Sequence, residues 1–101
     1  MTESQKPPLP PELAHLAAAY FHQDWMLEAP DAESVLDHFA SRNRPENIAG
    51  AREGAAELLT RNLPEPELAA LLRQAGLAYS PESDGRNYRD WLELVVRRLE
   101  D

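Results

Sequence analysis

Five carboxylates, Asp24, Glu28, Asp31, Glu33 and Asp37, fall within fourteen residues with no lysine or arginine among them. Acids in the first turn of a helix meet unsatisfied N–H groups and the positive end of the macrodipole. Asp31 and Glu33 suit that role. Asp37 lies too far along, and a local charge of −5 exceeds what capping needs. The chemistry such a set offers is recognition of ammonium and guanidinium groups on a basic partner. The same residues also suit a merely solvated helix face. A second set, Glu46, Glu53 and Glu57, forms the alternative acidic face. Trp25, outside regular helix, is a candidate anchor, because tryptophan is common at binding hot spots; its competing reading is core.

Catalytic chemistry finds little support. His15, His22 and His38 are scattered, and no His-Glu-x-x-His pair is present, so no metal site is expected. His22 and Asp24 are two apart, a spacing that sends helical side chains to different faces. Asp24 is expected to receive a backbone N–H in the turn. There is no Gly-rich phosphate loop, no Gly-x-Ser-x-Gly and no cysteine. The expectation is a non-enzyme with no cofactor and no small-molecule substrate.

The elements that must carry these side chains follow from punctuation and periodicity. At 101 residues the chain suits one domain. Residues 1–9 are polar and proline-rich, reading as a flexible tail without signal-peptide character, ahead of a helical domain over 10–101. Pro10 and Pro11 open a helix at about 10–22 whose apolar stripe is Leu13, Leu16, Ala17 and Tyr20. Pro30 breaks the chain and Asp31 caps a second helix to about 42, with Val35, Leu36, Phe39 and Ala40 inward. Pro45 starts a third, to about 61, in which Gly50 and Gly54 mark either a close crossing or a soft helix. A fourth follows Pro64, with Gly76 as its stop. Leu77–Tyr79 reads as an extended connector touching the core. Asn87-x-x-Asp90 resembles a capping box, ahead of a stripe of Tyr88, Trp91, Leu92, Val95, Val96 and Leu99. This stripe is expected to pack on the first helix, with Tyr88 and Trp91 meeting the Tyr20, Phe21 and Trp25 rings. The fold class is therefore all-α, a single compact bundle of about five helices.

Charge narrows the partner. The net formal charge is −8, and residues 1–41 hold seven acids against Lys6 alone. Such a field repels nucleic acid and attracts basic proteins. No apolar run approaches the length of a membrane span. The absence of cysteine fits a reducing cytoplasm.

Five stretches carry a resemblance: "LAAAYFHQDW", "DAESVLDHF", "AAELL", "ELAALLRQAGLAYSP" and "YRDWLELVVRRL". Together they resemble the small all-helical immunity proteins of bacterial contact-dependent growth inhibition systems, over about Leu13 to Leu99. The resemblance implies a cytoplasmic protein that binds and neutralises the toxic C-terminal domain of a delivered effector, often a nuclease, without catalysis. It supplies no fixed set of binding residues, so the interface is argued from the two acidic faces. The reading from a different class is an acidic helical adaptor for another basic protein.

Overall fold

Helix α1 begins where the prolines place it. In the computed structural model, which describes residues 10–27 and 30–100, α1 spans Pro11–His15 and continues without a break as a π turn over Leu16–Tyr20. Then follow α2 (Ala32–Arg42), α3 (Pro45–Thr60), α4 (Glu65–Gln74) and α5 (Tyr88–Arg98), with 3-10 turns at Trp25–Leu27 and Pro81–Asp84. Among the described residues there is no strand, and the fold is all-α. The expected 1–9 tail and Glu28 lie outside those residues.

The local signals act as their chemistry requires. Asp31 caps α2, its Oδ1 accepting from the Ser34 N–H at 2.8 Å. Asn87 and Asp90 form a reciprocal capping box on α5. At the end of α4, Gly76 adopts φ +109°, the Gly76 N–H bonds Arg73 O, and the Leu77 N–H bonds Leu72 O. That is a Schellman ending, which needs a residue at ease with positive φ. The connector beyond it is extended, and the Ala78 N–H reaches Phe21 O at 2.8 Å.

One packing expectation is corrected. The α5 stripe does not lie mainly on α1: α3 stands between them and packs against both. Small residues make this arrangement available, since Gly54, Ala51 and Ala55 are buried and let neighbouring backbones approach closely. The glycine pair thus marks a close crossing, and α3 is continuous through it.

The aromatic core is also redistributed. Phe21 meets Trp91 edge-on, with ring centroids 5.4 Å apart. Phe21 and Trp25 both pack on Tyr79, at 5.5 and 5.4 Å. Tyr20 leaves this group. The wider i→i+5 turn of the π segment rotates it off the α1 stripe. Its ring stands edge-on to Phe39 at 5.2 Å instead. Tyr88 is buried, with its hydroxyl accepting from Arg73 Nε at 3.1 Å rather than joining the ring cluster.

Candidate functional site

The acidic face of α2 is cation-free in sequence but not in space. Arg98, from the end of α5, donates to both carboxylate oxygens of Asp37, at 3.2 and 2.6 Å. Arg86 binds Glu33 at 2.5 Å. These contacts hold both guanidinium pKa values above their ordinary range, through the hydrogen bonds that Arg86 donates to Glu33 and then Tyr79, and that Arg98 donates to Asp37. Glu33 and Asp37 are therefore paired within the chain, Glu33 partly shielded and Asp37 still exposed as the sequence implies. Asp31 is occupied at the helix cap, where hydrogen bonds from the Ser34 side chain and then its backbone N–H hold its pKa below the usual value. Asp24 is exposed; its backbone N–H donates to His22 Nδ1 at 3.1 Å, and its carbonyl oxygen accepts from the Leu27 N–H at 3.0 Å.

Trp25 is corrected as an exposed anchor. The residue is 8 % exposed, its ring packed against Phe21 and Tyr79. The short 3-10 turn folds the indole back onto the core, and Leu27, two residues on, is the exposed apolar side chain at 85 %.

The alternative face has a different geometry. Glu46, Glu53 and Glu57 of α3 line one shallow groove of about 460 Å³ together with Glu12 of α1, over a floor that includes Gly50 and Gly54. No arginine lines it. Arg44 and Arg52 stand 4.0 and 3.9 Å from Glu46 and Glu53, and Arg61 reaches Glu57 at 3.1 Å from one turn on. Apart from the partly buried Arg52 these groups are exposed, and such pairs are worth little and easily exchanged for a partner's cations. Glu12 has no cation partner among the described residues. Its side chain lies over Gly50, so close that a Cβ there would stand 2.7 Å from Glu12 Cδ.

This geometry sits in a chain whose residues 10–99 match the family model of the CdiI immunity protein. The chain belongs to the CdiI immunity protein family. The match contains the whole Leu13–Leu99 span over which the sequence resembles immunity proteins. A chain of the crystal structure of a CdiA-CT/CdiI complex from Y. kristensenii superposes with a TM-score of 0.82 at 23 % identity, covering 90 % of this chain and 98 % of that one. At that identity the superposition establishes a shared fold. Comparison with curated proteins gives no match.

In this CdiI-family chain, sequence reasoning missed Glu12, Arg86 and Arg98. Glu12 looks like a simple first-turn acid, and the Gly50/Gly54 spacing signals a close crossing without naming what crosses. Arg86 and Arg98 lie 53 and 61 residues from their partners, so no local spacing reveals them. Among the described residues, no three metal-ligating side chains converge and no helix is long and apolar enough to cross a membrane.

Proposed function

We propose that this chain neutralises the toxin domain of its cognate contact-dependent growth inhibition effector by binding it in the cytoplasm, without catalysis. The α1–α3 groove forms the centre of the interface. The toxin is a basic nuclease, and the immunity protein competes with phosphates for its lysines and arginines. Family membership supports the role, and the net charge of −8 supports a basic partner. The observation that carries the choice of surface is the contrast between the two acidic faces. Glu33 and Asp37 are held at 2.5 and 2.6 Å by arginines from distant parts of the chain. Of the four carboxylates on the groove, by contrast, Glu46 and Glu53 meet arginines only at 4.0 and 3.9 Å, Glu57 pairs with its neighbour Arg61, and Glu12 has no cation partner among the described residues. A concave acidic surface focuses its field and speeds capture of a cationic partner.

The test compares two double variants against the parent in toxin association kinetics and in rescue of toxin-expressing cells. Glu53→Lys with Glu57→Lys is expected to slow association at least about tenfold at low salt and abolish rescue. Glu33→Gln with Asp37→Asn is expected to retain both. The opposite pattern would move the interface to α2, with Asp24, Glu28, Asp31, Glu33 and Asp37. Nucleic-acid cleavage by the toxin domain, blocked at one equivalent of immunity protein, tests the nuclease assignment.

A further inference from the structure

Beside the groove, on the other side of Glu12, lies a smaller cavity of about 260 Å³, lined by Pro11, Glu12, His15, Phe39, Asn43 and Asn47. We infer that it is a receptor pocket for a single arginine side chain of the toxin, an inference that rests on the toxin-binding reading above.

Three features select this occupant. The first is size. The cavity is below the range of about 300–1,000 Å³ that holds cofactors and drug-sized ligands, which suits one side chain better than a small molecule.

The second is hydrogen-bond polarity. Asn43 Nδ2 donates to Phe39 O at 2.9 Å and to Tyr20 Oη at 3.2 Å. A carbonyl oxygen only accepts, so the amide orientation is settled by chemistry. Both amide hydrogens are thereby committed inward, and Oδ1 is left as an acceptor with no donor among the described residues. Glu12 and Asn43 both line this cavity, and a charged and a neutral acceptor residue around one small space favour a ligand rich in donors and lacking acceptors. Guanidinium, with five N–H groups in a planar fork, meets that requirement.

The third is the wall chemistry. Glu12 is half-buried and has no cation partner among the described residues. Pro11 offers apolar surface to the methylene stem, the buried Phe39 backs the cavity, and the exposed His15 also lines it. Arginine is enriched among binding hot spots, where a desolvated charged contact governs dissociation more than association.

The pocket can be probed without the toxin. N-acetyl-arginine amide is titrated into the ¹⁵N-labelled protein, with the neutral N-acetyl-norleucine amide as control. The Asn43 and Asn47 side-chain amide resonances are expected to shift with the arginine probe alone, saturating in the millimolar range. They are expected not to shift in Glu12→Gln, which keeps the size of the side chain and removes its charge. Absence of shifts in the parent, or equal shifts in Glu12→Gln or with the norleucine probe, overturns the inference. With the toxin domain, Glu12→Gln is expected to raise the dissociation rate about tenfold, while Glu93→Gln on the exposed side of α5 changes it less than about twofold. An unchanged dissociation rate in Glu12→Gln also overturns the pocket, though not toxin binding through the groove. Failure of the parent protein itself to bind the toxin removes the broader reading, and the arginine titration still decides the chemistry of the cavity.

Discussion

Arg98 grips Asp37 by both carboxylate oxygens, at 3.2 and 2.6 Å, tying the end of α5 to the middle of α2. Four residues earlier on α2, Glu33 makes the parallel contact with Arg86, whose other terminal nitrogen reaches Tyr79 Oη at 3.3 Å. Two arginines from one end of the chain thus occupy the acids of the other. Glu33→Gln is expected to lower unfolding free energy by about 1 kcal/mol, since the pair is partly shielded and belongs to a network. Urea denaturation checks this, and unchanged stability would mean that the pair is ornamental.

Trp91 is fully buried against Phe21. Trp91→Ala should cost roughly 3–5 kcal/mol, much of the stability of a small domain. A loss below about 1 kcal/mol in a cooperative unfolding transition would remove Trp91 from the core.

Gly76 combines a left-handed backbone with a close approach, since a Cβ there would lie 3.0 Å from Ala18 Cβ and 3.1 Å from Ala18 Cα. Gly76→Ala is therefore expected to destabilise by about 1–3 kcal/mol, through strain and displacement of α1. Thermal unfolding that matches the parent would contradict this.

Gly50 behaves differently, because the group in its way is the flexible end of Glu12. Gly50→Ala should gain up to about 1 kcal/mol of helix propensity while pushing the Glu12 carboxylate aside. The expected signature is a fold at least as stable as the parent with weaker toxin binding. Equal binding would show that the position of Glu12 is unimportant.

Two groups set the pH response. The folded state lowers the Asp31 pKa from 3.8, so its stabilising contribution is present above that value and is lost as pH falls through the lower folded one. Asp31→Asn keeps a capping side chain without the titration. The variant should therefore gain on the parent as pH falls below about 4, and a constant difference would refute the assignment. Tyr79 titrates oppositely. Burial, then its hydrogen bond to Asp84, raises its pKa from 10.0 to about 12. Its contribution is present below 10.0 and lost as pH rises toward about 12. Absorbance titration should show a late ionisation that is absent in Tyr79→Phe.

The sequence by itself determined what depends on neighbours along the chain. Proline interruptions, the Asp31 and Asn87 caps, the Gly76 stop and the 3-4 apolar spacing each act within a turn or two, so helix bounds were legible to within a few residues. So was the family, through motifs spread over most of the chain. The tertiary structure decided every relationship that depends on which helices meet. Charge spacing showed an uninterrupted acidic run from Asp24 to Asp37, but a salt bridge needs proximity in space. Arg86, just before α5, and Arg98, at its end, arrive only when α5 packs beside α2. Ring spacing grouped Tyr20 with Phe21 and Trp25, but Tyr20 packs on the core at Phe39 instead, and Tyr79 is the common neighbour of Phe21 and Trp25. The groove exists because α1 crosses α3 at two glycines, and the pocket that shares Glu12 lies where α1 meets the end of α2 and the start of α3. No local hydrogen bond or propensity encodes that crossing; it is the packing that buries both apolar stripes at once.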